Sequence, residues 1–189
     1  MQSNAVQAVQ LDKRYTYADL ETWPGDERYE LIDGVPYMMA APSREHQKIS
    51  GELFRQMANF LLGKPCEVYS APFDVRLNAH DKDDRVVQPD IVVVCDHSKL
   101  NEKGCVGAPD LVVEILSPTT QGRDRVLKLN KYREAGVREY WIVDPEYKNV
   151  TVLVLTDDHY AVRPYDSDDC VASTVLDGFT VQLSEIFNY

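Results

Sequence analysis

The chain has 189 residues, 44% hydrophobic and 10% aromatic, which is the composition of a globular domain with its own core and excludes a fibrous or disordered chain. Twenty lysines and arginines against 31 aspartates and glutamates leave a formal net charge of −11, which argues against broad affinity for nucleic acid, since that comes from basic side chains on phosphates. No apolar stretch approaches the ~20 residues of a membrane helix, and residues 1–10 lack the regions of a signal peptide. The expectation is therefore a cytoplasmic protein with a loose tail over residues 1–14 and one domain over residues 15–189.

Residues 16–20 begin like a short helix, stopped by Trp23-Pro24-Gly25. Residues 28–39 predict a hairpin, with Asp33-Gly34 as the tight turn. Pro42-Ser43 caps a helix with Ile49, Leu53, Met57, Phe60 and Leu61 on one stripe, ending near Gly63-Lys64-Pro65. His46 stands three residues before Ile49, so it points toward a sheet or a site; a hydrogen-bonded inner histidine is the plainer reading. Short strands follow at residues 66–69 and 73–77, then a polar turn at 78–84.

Asp90 opens the apolar run Ile91-Val92-Val93-Val94-Cys95, and a loop over residues 96–109 leads to the run Leu111-Val112-Val113-Glu114-Ile115-Leu116. A helix is predicted from about Gly122 to Ala135, closed by Gly136 as a left-handed residue. Residues 139–143 read as a strand ended by Asp144-Pro145. Residues 150–155 and 159–163 read as a hairpin, and 179–187 as a terminal strand and turn. This order argues for an α/β fold with a mixed central sheet. The four cysteines, Cys66, Cys95, Cys105 and Cys170, show no C-x-x-C pair and read as idle or buried thiols, without disulfide or zinc.

A carboxylate amid β-branched residues needs something to hold it, and a divalent metal would serve. Two carboxylates and an ammonium are what metal-assisted phosphodiester cleavage requires, and Asp90, Glu114 and Lys128 supply that set. Strand alternation lets both acids face one side if their strands pair in the right register. The alternatives are a turn aspartate after Pro89 and an ion pair of Glu114 with Arg123 or Arg125. The segment 122–134 carries Arg123, Arg125, Lys128, Lys131 and Arg133 against Asp124 and Glu134. Such a basic helix on an acidic body could draw an anionic substrate to one face, or be a solvated surface. Asp124, four before Lys128, reads as a helical ion pair, and Tyr140 and Trp141 read as core.

Gln88-Pro89-Asp90-Ile91, the stretch from Pro109 through Glu114 to Thr120, and Asp124, Lys128 and Tyr132 together resemble the PD-(D/E)XK nuclease superfamily. Gly136-Val137-Arg138-Glu139-Tyr140-Trp141-Ile142-Val143-Asp144-Pro145, with Tyr29-Glu30-Leu31-Ile32-Asp33-Gly34, Pro42-Ser43 and His46, looks like its Uma-type branch of restriction endonucleases. The resemblance covers residues 16–187. It implies a restriction endonuclease-like mixed sheet flanked by helices, with additional hairpins. It also implies a metal-dependent endonuclease that hydrolyses DNA phosphodiester bonds, often as a homodimer. The lysine expected two residues after the second acid is absent, since Leu116 stands there; in this branch it has moved to the following helix, which points to Lys128.

By the same resemblance, Asp90, Glu114 and the backbone carbonyl of Ile115 hold Mg²⁺, for which Mn²⁺ substitutes. Lys128 orients the water or steadies developing charge. Glu30 matches the branch's first acid and completes the metal site or binds a metal-ligated water, or is an exposed hairpin carboxylate paired across the strand. His46, Tyr132, Arg123 and Arg125 stand behind the metal or touch substrate, with plain packing as the alternative for Tyr132. A second overall reading keeps the fold without catalysis, as a module that binds nucleic acid or protein.

Overall fold

A computed structural model describes residues 13–118 and 122–188, with the backbone alone at residues 123–125. Residues 1–12 of the expected tail lie outside the described residues. One sheet contains β1 (Tyr29–Ile32), β2 (Val35–Met38), β4 (Asp74–Arg76), β5 (Val86–Val87), β7 (Leu100–Asn101) and β8 (Gly104–Val106), in the order β2-β1-β5-β4-β8-β7. A second contains β3 (Glu67–Ser70), β6 (Ile91–Val94), β9 (Leu111–Ile115), β10 (Glu139–Asp144), β11 (Asn149–Thr156) and β12 (His159–Tyr165), in the order β12-β11-β10-β9-β6-β3. Both are mixed, because β4 runs parallel to β8 and β9 parallel to β10. A small separate pair joins β13 (Cys170–Ala172) to β14 (Thr180–Gln182). The helices are α1 (Tyr17–Leu20), α2 (Arg44–Leu61), α3 (Leu129–Ala135) and α4 (Leu183–Phe187).

Local chemistry explains the elements that carry the site. The β1–β2 turn needs two left-handed residues, and Asp33 (φ 50°) and Gly34 (φ 76°) supply them, the pair that matches hairpin twist. Helix α2 starts where the Ser43 hydroxyl accepts the backbone N–H of His46 at 3.1 Å. Its stripe of Ile49, Leu53, Met57 and Leu61 is buried, with Phe60 half-buried beside it, against Ile91, Val93, Leu111 and Val113 of the second sheet. Each such side chain contributes on the order of 1.5–3 kcal/mol. The other face of that sheet presents Val92, Val94, Val112, Tyr140 and Ile142 to Val75, Val87 and Cys105 of the first sheet and to Tyr132 and Val137. Covered on both faces, β6, β9 and β10 read as continuous apolar runs.

Several expectations change. The segment 96–109 is not a plain loop: it holds a 3₁₀ turn over His97–Lys99 and the β7–β8 hairpin. The helix expected from residue 122 opens with a π-helical stretch, Arg123–Lys128, before α3. Gly136 closes α3 at φ 90°, as predicted. The C-terminal stretch pairs β14 with β13 and then forms α4. Cys66 and Cys95 are disulfide-bonded, against the expectation of idle thiols. The reason is the β3–β6 register: Glu67 lies opposite Val94, so the next pair outward is Cys66 and Cys95. Cys105 is buried and Cys170 exposed, both as free thiols.

Candidate active site

Strand β6 pairs antiparallel with β9 so that Ile91 faces Val113 and Val92 faces Val112. One residue further, the same register sets Asp90 opposite Glu114. The Asp90 carboxylate extends the ladder itself, since its Oδ2 accepts the Ile115 backbone N–H at 2.7 Å. The same oxygen lies 3.1 Å from His46 Nε2 in the first turn of α2. That places His46 beside Asp90, with an ion pair between them when the imidazole is protonated. Oδ1 of Asp90 has no partner among the described residues.

Glu114 is almost fully buried, and its Oε1 is held from one helical segment. Lys128 Nζ lies 2.8 Å away and the Tyr132 hydroxyl donates to the same oxygen at 2.6 Å. Lys128 ends the π-helical stretch and Tyr132 stands four residues on in α3, so one helical face delivers both. A π-helical segment at a functional site is a recurrent association, because the extra residue re-aims the side chains that follow. Lys128 is 2% exposed. A second carboxylate, Glu30 on β1, stands 2.7 Å from its Nζ. Glu30 is fully buried, and its Oε1 also accepts the Gln88 backbone N–H at 3.0 Å. Lys128 therefore joins the two sheets: Glu30 belongs to the first and Glu114 to the second.

Tyr132 is fully buried, and burial together with the Glu114 charge pushes its phenol well above the ordinary tyrosine range. It remains a hydrogen-bond donor under all mild conditions.

Asp90, Glu114, Ile115, Lys128 and His46 line an open cleft of about 1120 Å³. The first turn of α2, the segment 39–43, Ser70-Ala71-Pro72, Leu116-Ser117-Pro118 and Asp144-Pro145-Glu146 form its walls. The structure thus brings together Asp90, Glu114, Ile115, Lys128 and Tyr132, with His46 beside Asp90. Glu30 joins them through Lys128, as a buried group and not as an exposed hairpin carboxylate. Tyr132 neither merely packs nor turns its hydroxyl to the cleft; it holds Glu114. The side chains of Arg123, Asp124 and Arg125 lie outside the described residues. Glu114 pairs with Lys128, a partner the alternative reading did not name. Two residues quoted in the motifs were given no site role from the sequence: Gln88, whose backbone N–H anchors Glu30, and Asp144, which lines the cleft.

Divalent-metal chemistry fits this donor set. Mg²⁺ binds through one or two carboxylates and keeps several waters, and the cleft offers the Asp90 carboxylate beside that of Glu114. Among the described residues no group of three or more His, Cys, Asp or Glu is placed to hold a metal, so an ion here would depend on the two acids and the main chain. No helix among the described residues is long and apolar enough to cross a membrane.

Comparison with known proteins agrees with this architecture. An uncharacterized protein of Synechocystis sp., slr1290, is 28% identical over 146 residues, covering 76% of this chain and 75% of its own. A second from the same organism, sll1609, is 26% identical over 121 residues, covering 62% and 67%. The crystal structure of "a putative nuclease belonging to DUF820" from Anabaena variabilis superposes with a TM-score of 0.75 at 19% identity, covering 91% of this chain and 97% of the other. At that identity the likeness establishes the fold, here restriction endonuclease-like. The model of one family, Uma2, described as "Putative restriction endonuclease", matches residues 16–184, and the chain belongs to that family.

Proposed function

We propose that the cleft hydrolyses phosphodiester bonds of nucleic acid, DNA in particular, as a Mg²⁺-dependent endonuclease that also accepts Mn²⁺. The observation that carries this reading is Glu114: a buried carboxylate lies across the ladder from Asp90, with an ammonium and a phenol both fixed on its Oε1. Asp90, Glu114 and the Ile115 carbonyl would hold the ion. When bound, it supplies acidification of a water and neutralisation of phosphate charge.

The remaining steps belong to the chain. Lys128 keeps a positive charge at the cleft wall, where it orients the attacking water or steadies the charge growing on the phosphoryl oxygens. Tyr132 stops Glu114 from rotating. His46 does the same for Asp90, together with the Ile115 N–H. The N-terminal turn of α2 lines the cleft and favours an anion there. Cutting both strands of a duplex calls for two sites, so we assign a homodimer. A DNA substrate places the protein in the cytoplasm, where reduction would open the Cys66–Cys95 bridge.

The test is calorimetric titration of Mn²⁺ into metal-free protein, wild type beside Glu114→Ala, followed by cleavage of supercoiled plasmid. Binding and nicking that both vanish in the variant support the reading; a wild type that binds no Mn²⁺ overturns it. The net charge of −11 favours a second reading, a nuclease fold that binds a partner without cutting. Mn²⁺ binding without nicking of any plasmid, RNA or single strand would be its result.

A further inference from the structure

Glu30 differs from the other acids of the site in three ways. It comes from the first sheet, it is fully buried, and it is not among the residues that line the cleft, whereas Asp90, Glu114 and Lys128 are. Its Oε1 is already engaged by Lys128 Nζ at 2.7 Å and by the Gln88 N–H at 3.0 Å. Gln88 is itself tied down, because its Nε2 donates to Asp74 at 2.8 Å, and Asp74 receives the Tyr17 hydroxyl at 3.3 Å. The carboxylate is therefore anchored from behind by strand β5's exit and sits behind the lysine as seen from the cleft. A buried ammonium set against carboxylates from two different sheets is held more firmly than it would be against Glu114 without Glu30.

Resting on the nuclease reading, we propose that Glu30 is a positioning residue: it holds the Lys128 ammonium at the cleft wall against Glu114, and it does not ligate the metal. It acts on the reaction through Lys128 alone. Two consequences separate this role from that of a third metal ligand and from a contribution to folding only. Metal affinity does not depend on Glu30, and its effect on cleavage disappears when Lys128 is already gone.

The experiment compares wild type, Glu30→Gln, Lys128→Met and the double variant. Mn²⁺ affinity is measured by calorimetry, and the kcat and KM of plasmid nicking are measured well below each variant's thermal midpoint. Glutamine keeps the shape and the acceptor for the Gln88 N–H, so Glu30→Gln reports on a folded protein, and the double variant is read against Lys128→Met, in which Glu114 already lacks the same counter-charge. The expected result is Mn²⁺ affinity within about twofold of wild type for Glu30→Gln, with kcat lower by roughly 10- to 100-fold, the range for groups that orient a working residue, and KM little changed. The double variant then cuts no more slowly than Lys128→Met. A tenfold or larger loss of Mn²⁺ affinity in Glu30→Gln would make Glu30 a ligand and overturn the proposal. So would kcat losses that multiply in the double variant, or a fully active Glu30→Gln. Each of those failures occurs with an active wild type; failure of the nuclease reading itself shows as a wild type that neither binds Mn²⁺ nor nicks.

Discussion

Asp90 and Glu114 face each other across the β6–β9 ladder, one residue beyond the Ile91–Val113 pair. Their helpers come from opposite directions: His46 in α2 contacts the first, and Lys128 and Tyr132 contact the second. Replacing Asp90 with asparagine keeps an acceptor for the Ile115 N–H and removes the charge. We expect Asp90→Asn to lose Mn²⁺ binding and plasmid nicking while its unfolding free energy from urea titration stays within about 1 kcal/mol of wild type, the scale of one neutral hydrogen bond. A variant that unfolds, or that still binds Mn²⁺, would assign Asp90 to the fold alone.

Tyr132 offers a subtler change. Tyr132→Phe removes only the hydroxyl that donates to Glu114 at 2.6 Å. A hydrogen bond to a buried charge is worth about 1.5–3 kcal/mol, so the unfolding free energy should fall by that amount. Nicking should weaken because Glu114 gains freedom to rotate. Activity unchanged at reduced stability would leave Tyr132 a structural group.

A pH dependence follows from a tyrosine remote from the cleft. Tyr160 donates to the Val137 carbonyl at 2.8 Å, and burial raises its phenol far above the ordinary value. The folded state therefore keeps this proton where the unfolded chain, with a pKa of about 10, has released it. Its contribution is complete below pH ~10 and is lost as pH rises from there toward the raised folded value. Chemical unfolding measured between pH 8 and 11.5 should show stability declining above pH ~10. Tyr160→Phe should remove up to about 1.4 kcal/mol per pH unit from that slope; an identical slope in both proteins would refute the assignment.

Glu139 shows how a strand carboxylate can be purely architectural. It is fully buried, and its two oxygens accept the Trp141 indole N–H, the Ser173 and Thr174 hydroxyls and the backbone N–H groups of Thr174 and Val175. These bonds tie β10 to the turn before β14. Glu139→Ala leaves those donors unsatisfied, so a loss on the order of 3–5 kcal/mol is expected, read as a lower urea midpoint. Mn²⁺ affinity in the folded variant should be unchanged.

Glu114 and Glu139 look alike in the sequence, each an acid in an apolar run, and nothing local separates the site residue from the anchor. The resemblance to the nuclease superfamily separated them, and geometry explains why: one points to Lys128 and the cleft, the other to a turn 35 residues away. Where a signal is local it was readable, as with Asp33-Gly34, the Ser43 cap and Gly136. The Cys66–Cys95 pair, 29 residues apart, is set by strand register alone. The contact of Glu30 with Lys128 depends on how two sheets stack, and the π-helical stretch before α3 follows no propensity rule, so neither was legible beforehand.

The displaced lysine gives the strictest test of the site. Leu116 stands two residues after Glu114 on the same side, is buried with Tyr132 and the valines between the two sheets, and lines the cleft. A lysine there would approach the acids from the strand, whereas Lys128 approaches from the helix. Lys128→Met alone should retain Mn²⁺ binding but nick only at a small residual rate, and it should cost on the order of 3–5 kcal/mol because Glu30 and Glu114 lose their shared counter-charge. Adding Leu116→Lys returns a positive charge to the same space, so the double variant should regain part of both stability and activity. Leu116→Lys in the wild-type background places two ammonium groups there and should lower Mn²⁺ affinity through repulsion. If the strand lysine restores stability but no nicking, the position of the ammonium on the helix matters to the reaction beyond its charge; if it restores neither, a shared site for the two lysines is ruled out.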